Sequence, residues 1–169
     1  MKKILCVIIS ALIIITIFSA CSGSQIDIKS ATLENNKLTF KYTPNVDLSE
    51  YEYVLRIELS NDGDKGSYTG KVYTEKAIEG KDKAGENYTE IFDFTEKTEY
   101  QIEDKENFKV NDNKLKDELS VHMLTSTKMR YDSIKSDNIL ENYGKGTTLT
   151  AYFAPKDGGQ LSEKKVFTL

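Results

Sequence analysis

Tryptophan is absent from this 169-residue chain, and histidine occurs once, as His122. A lone histidine cannot build a histidine-based metal cluster. As a catalytic base it would need a positioned nucleophile and an orienting group, and the sequence identifies neither. His122 alternates with Lys128 and Arg130 in a polar set, which reads as the outer face of a strand. Cysteine occurs twice, as Cys6 and Cys21, both within the first two dozen residues. The rest of the chain therefore has no disulfide and must be held by packing, which a chain of this size can supply. Basic excess is missing as well: 23 Lys and Arg stand against 27 Asp and Glu. An acidic domain is a poor fit to phosphate backbones or anionic head groups, so no nucleic acid partner is expected.

The opening residues are different in kind. Lys2 and Lys3 form a short positive region, and Ile4 to Phe18 is apolar except for Ser10 and Thr16. Small residues Ser19 and Ala20 follow. A basic start, a short apolar core and a small-residue end describe an export signal, and the core is short for a stable membrane span. The four residues Phe18-Ser19-Ala20-Cys21 resemble the lipobox of bacterial lipoproteins, with Phe18 where Leu is usual. That resemblance implies a lipidated Cys21 as the first mature residue, with residues 1–20 removed as the signal. Each buried CH₂ contributes about 0.8 kcal/mol of membrane affinity, so several acyl chains on one residue give lasting attachment. Residues 21–24 form a tether, and residues 25–169 form a single domain. Loss of Lys2 and Lys3 takes the net charge from −4 to −6.

The domain has the pattern of an all-β protein. Leu38, Phe40 and Tyr42 alternate with polar residues, as do Tyr51, Tyr53, Leu55, Ile57 and Leu59, with Val54 apolar on the outer side. Asn35-Asn36 suits a turn with left-handed backbone angles. Tyr68 to Tyr73, Ile91 to Phe94, Tyr100 to Ile102, Thr147 to Phe153 and Lys164 to Leu169 read as further strands. Glu75 to Glu86 is polar, contains two glycines and reads as a solvated loop. Thr-rich alternation from Leu119 to Tyr131 predicts one long strand, with at most one helical turn near Asn113 to Glu118. A short helix capped at Ser136-Asp137 runs to Tyr143, with Gly144 ending it. About eight or nine strands with at most one or two helical turns predict an antiparallel β-sandwich, immunoglobulin-like or related. Tyr143-Gly144-Lys145-Gly146-Thr147 is similar to the aromatic-Gly-x-Gly-Thr opening of the last strand in antibody variable domains. The Cys…Trp…Cys hallmark of those domains is missing, and the stretch reads as a glycine bulge at a strand start.

Chemistry-bearing patterns are sparse. Asn61, Asp62 and Asp64 invite a calcium reading, but Gly63 and Lys65 interrupt the alternating ligands and no closing Glu follows, so a hairpin turn is expected. Glu96, Glu99, Glu103, Asp104 and Glu106 occupy polar loop sequence, where solvated charge is the default reading. Gly144-Lys145-Gly146 lacks the strand–loop–helix context of a phosphate loop. Asn87-Tyr88-Thr89 matches a glycosylation sequon. Among the ten tyrosines, Tyr88 and Tyr143 fall in loop-like sequence and are the candidates for exposed binding contacts. No cofactor is expected. These features point to a membrane-anchored, non-catalytic extracytoplasmic module that contacts a protein or wall polymer. Two alternatives are an accessory subunit of a membrane transport or envelope complex, and an envelope hydrolase using loop carboxylates.

Overall fold

The computed structural model describes residues 24–61, 66–80, 82–112, 115, 119–125 and 128–169, excluding the side chains of 121–130. The signal segment, Cys21 and most of the tether lie outside the described residues. So do Asp62 to Lys65, the helical turn expected near Asn113 to Glu118, and the His122 side chain. Among the described residues, no helix is long and apolar enough to cross a membrane.

Among the described residues, eleven antiparallel strands form two sheets. The smaller sheet has the order β1-β2-β5, from β1 (Ile26–Glu34), β2 (Lys37–Pro44) and β5 (Tyr88–Asp93). The larger begins with β11 (Lys165–Thr168), β10 (Thr148–Pro155), β3 (Tyr53–Asn61) and β4 (Tyr68–Ile78). It continues through β6 (Thr98–Ile102), β9 (Lys128–Ser136) and β8 (Leu119–Thr125), and two-residue β7 (Lys109–Val110) pairs with β4. The all-β sandwich expected from the sequence is observed. Three strands face eight, so it is related to the immunoglobulin type in its two antiparallel layers and differs from it in strand count.

Period-two burial drives the layering. Leu38, Phe40 and Tyr42 of β2 point inward, as do Tyr53, Leu55, Ile57 and Leu59 of β3, and all are at most 2% exposed. Aromatic rings join the sheets: Phe153 of β10 packs 4.4 Å from Tyr42 and edge-on 5.5 Å from Phe40. Asn35 and Asn36 turn β1 into β2 with φ of 50° and 60°, the left-handed region that asparagine tolerates.

Three expectations need correction. Tyr51 lies before β3 and is 62% exposed, so the inward face begins at Tyr53. The single strand expected from Leu119 to Tyr131 is a hairpin of β8 and β9, whose register pairs Val121 with Tyr131 and Met123 with Met129. Val121, His122 and Met123 each face a residue of like parity, so alternation continues across the turn and hides it. Finally, Glu75 to Ile78 belongs to β4, and Asp82, inside the supposed solvated loop, is 5% exposed.

The short helix α1 (Ile139–Tyr143) forms as expected, one residue later than its anticipated cap, with Asn138 in the cap position. Gly144, at φ 74°, ends it and donates its N–H to the Leu140 carbonyl. Gly146 donates to the Leu169 carbonyl at 2.8 Å. The glycines thus terminate a helix and start a strand pairing, and the β10 registers show no bulge there.

Candidate functional site

Three surfaces gather side chains with chemical potential. The first closes the end of the sandwich where β1 starts and β2 ends. The Asp82 carboxyl accepts a hydrogen bond from the Tyr42 hydroxyl at 2.6 Å and another from the Tyr53 hydroxyl. Its backbone carbonyl accepts the Leu48 N–H at 2.9 Å. One aspartate therefore ties both sheets and the 45–52 loop together. Burial, and secondly the bond to Asp82, push both phenols far above their ordinary value. They are donors, and not bases, at neutral pH. Gly80 makes this closure possible: a Cβ there would lie 2.9 Å from the Tyr51 carbonyl oxygen.

Tyr88 belongs to the same closure. It is half-buried at the start of β5, and its ring stacks on Tyr42 with centroids 5.9 Å apart. Its hydroxyl accepts the Lys83 N–H at 2.8 Å and donates to Glu86 at 2.9 Å, clasping the 82–87 segment. Its ring is partly available and partly occupied by packing.

Tyr143 departs from expectation. It is fully buried at the end of α1, 5.7 Å from the Tyr68 ring, so it cannot be an exposed contact. The sequence set it at the end of a short helix, in a stretch that otherwise reads as loop-like. The glycines that follow it fold the chain so that the ring turns inward. Burial pushes its phenol well above the ordinary value.

The second surface is the outer face of the larger sheet. Arg56 reaches Glu58 at 3.1 Å and Glu75 at 2.6 Å, and its guanidinium lies 3.9 Å from the Tyr73 ring centre. Lys71 reaches Glu103 at 2.6 Å and Glu58 at 3.3 Å. Tyr152 donates its hydroxyl to Glu58 at 2.9 Å. Burial pushes the Glu58 carboxyl up, but hydrogen bonds from Tyr152 and Arg56 and the charge of Lys71 outweigh it, and the net direction is down. Burial, then the bond to Glu58, raises the Tyr152 phenol to about 12. Val54, expected to be apolar on the outer side, is 5% exposed and clusters there with Tyr152 and Ala154.

The third is a groove of about 460 Å³ where the sheets part, between β4 and β5. Ile91 and Phe92 supply its apolar lining, and Lys37, Glu75, Asp93 and Glu96 supply charge. Lys76 spans it, donating to the Ile91 carbonyl at 2.6 Å and pairing with Glu90 at 2.5 Å. A lysine laid along a sheet edge blocks indiscriminate strand pairing. Hydrogen bonds from Lys37, then from Thr95, hold the Asp93 carboxyl down at about 2.

The loop carboxylates do not converge. Glu99 accepts from Ser133 at 2.6 Å, Glu103 pairs with Lys71, and Asp104 accepts from Asn107 at 2.7 Å. The side chain and then the backbone of Asn107 lower the Asp104 pKa. That is opposite to the raised pKa of a general acid. Asn61, from the calcium reading, donates its amide to the Tyr143 carbonyl at 2.9 Å. Among the described residues, no group of three or more His, Cys, Asp or Glu is placed to hold a metal ion.

Asp82 is the residue that reading the sequence missed. Its sequence neighbours Lys81 and Lys83 are charged, and a single buried residue leaves no periodic trace. No protein family, curated protein or solved structure matches this chain.

Proposed function

We propose that this chain is a lipoprotein held by acyl chains on Cys21 at the extracytoplasmic face of a cell membrane. In this reading its β-sandwich works by binding, with an extracytoplasmic protein or a wall polymer as partner, and performs no catalysis. The observation that carries it is the tripartite export segment closed by Ser19-Ala20-Cys21, five residues ahead of the first strand of the sandwich. The groove beside Ile91 is the binding surface best suited to such a partner, because it sets an exposed apolar side chain among charges of both signs. The low pKa directions of Glu58, Asp93 and Asp104 favour binding over acid–base chemistry at those carboxyls.

The deciding experiment is Cys21→Ser in the full chain. The wild-type protein should partition into detergent and carry the mass of a diacylated cysteine, and the variant should lose both. A variant that still partitions and keeps the added mass would sink the reading. The second reading, an accessory subunit of a membrane transport or envelope complex, is favoured by the short tether of residues 21–24. Mild crosslinking should then trap a membrane protein beside the wild type, and loss of Cys21 should weaken that association.

A further inference from the structure

The first described residue, Ser24, is already pinned. Its hydroxyl donates to the Ile26 carbonyl at 2.5 Å or the Leu161 carbonyl at 2.9 Å, and its own carbonyl accepts the Asn45 side-chain amide at 2.8 Å. The Asn45 backbone N–H bonds to the Gln25 carbonyl at 2.7 Å. The chain therefore enters the domain at the end that carries the 45–52 loop. Three residue steps of about 3.5 Å separate Ser24 from Cys21, a reach on the order of 10 Å.

That same loop is unusual in what it leaves uncovered. Three large hydrophobic residues are exposed among the described residues, and two of them, Val46 at 41% and Tyr51 at 62%, lie on it. Val46 follows the asparagine that holds Ser24. Leu48, between them, is fully buried and fixes the loop to the core, and Gly80 lets the neighbouring segment approach the Leu48, Ser49 and Tyr51 carbonyls. The two apolar side chains thus project from a fixed base. The β1–β2 turn is far away, since eight residue steps along β1 cover about 27 Å.

We infer that the 45–52 loop is a membrane-contact surface: it rests on the bilayer that holds the lipid anchor, with Val46 and Tyr51 at the level of the head groups. This rests on the reading of Cys21 as lipidated. A tyrosine with an apolar ring and a polar tip suits that boundary. Asp47, Glu50 and Glu52 give the loop negative charge, and Lys156 pairs with Glu52 at 2.8 Å. Attraction to anionic lipid is therefore not the source of the contact. Apolar area is, made effective by an anchor that holds the loop close. The consequence is a defined orientation, with the entry end down and the Asn35-Asn36 turn of the small sheet away from the bilayer.

The absence of tryptophan makes the test direct. Tyr51→Trp and Glu34→Trp each place a single indole in the chain, one at each end of the sandwich. The full lipidated protein is reconstituted in phosphatidylcholine vesicles with and without brominated acyl chains. Flotation reports anchoring, and fluorescence reports contact. The expected result is a blue-shifted emission from the Tyr51→Trp protein, quenched severalfold more by brominated lipid than that of the Glu34→Trp protein. Equal quenching in the two variants, or none in Tyr51→Trp protein that floats, overturns the orientation and leaves the anchor standing. Protein that fails to float overturns both. Val46→Trp repeats the measurement should Tyr51→Trp prove poorly folded, with the same outcomes deciding.

Discussion

Tyrosine is used in opposite ways at the two ends of this sandwich. At the entry end, Tyr42 and Tyr53 are buried and both hydroxyls reach Asp82. Towards the other end, Tyr143 is equally buried, packed on Tyr68, and its hydroxyl meets no hydrogen-bond partner among the described residues. The Thr147 hydroxyl shares that condition. The tyrosine rings contribute similarly through apolar area, so the difference lies in the oxygens. A satisfied buried hydroxyl contributes about 1 kcal/mol, while an unsatisfied one costs about 1–3 kcal/mol of lost hydration. One end therefore carries a polar network that fixes loop positions, and the other carries oxygens that weaken an otherwise apolar cluster.

The comparison is most severely tested at its hub. Asp82→Ala removes the acceptor for two buried hydroxyls at once, while the backbone bond between Leu48 and residue 82 stays in place. It should destabilise the domain by about 3 kcal/mol in urea unfolding, since both phenols are left without a partner. A change below about 1 kcal/mol would show that water replaces the carboxyl readily and that the clamp is incidental. Tyr53→Phe deletes one arm and leaves Asp82 its bond to Tyr42, so about 1.5 kcal/mol is expected from the same measurement. The two phenols should also resist alkaline titration. Each is raised, so the neutral form is favoured in the folded state. Their contribution is complete below the ordinary value of 10.0 and is lost as pH rises above it towards the folded-state pKa.

How much of this was legible depends on whether a residue announces itself by periodicity. The inward rows of β2 and β3 did, because alternation over five or more residues leaves few other solutions. The β8–β9 turn did not, since Val121 to Met123 face partners of like parity and so keep the alternation of a single strand. Asp82 did not either. Its burial is set by partners 29 and 40 positions earlier in the chain, and its immediate sequence neighbours are both lysines. Tyr143 misled for a local reason: glycine at positive φ marks a turn, and the turn here is the end of a helix whose last ring faces the core. The anchor, by contrast, rests entirely on sequence pattern.

The outer face offers an intermediate case that sharpens the contrast. Tyr152 donates to Glu58, as Tyr42 and Tyr53 do to Asp82, but Arg56 and Lys71 also hold that carboxyl. Glu58→Gln keeps the shape and removes the charge, and about 1 kcal/mol should be lost at neutral pH. Because the Glu58 pKa is lowered on folding, its contribution is present above the ordinary value of 4.5 and disappears as pH falls below it. The variant and the wild type should therefore converge in stability under acid conditions. A stability difference that persists unchanged well below that value would assign the effect to packing.

The smallest expected change bears directly on the opposite end. Tyr143→Phe removes the orphaned oxygen and keeps the ring against Tyr68. If the hydroxyl truly lacks a partner, its removal relieves a desolvation cost and the domain gains between zero and about 1 kcal/mol. Burial first, and then the neighbouring Tyr68, raises the phenol, and no hydrogen bond contributes. The substitution should therefore leave the alkaline behaviour of Tyr42 and Tyr53 untouched. A loss of about 1 kcal/mol or more would reveal an acceptor for the Tyr143 oxygen, such as an enclosed water shared with the unpartnered Thr147 hydroxyl. The two ends would then be built alike, each with a polar centre, one a carboxyl group and one made of solvent. A gain confines the polar clamp to the end where the chain enters at Ser24, where Asp82 and Asn45 fix the 45–52 loop.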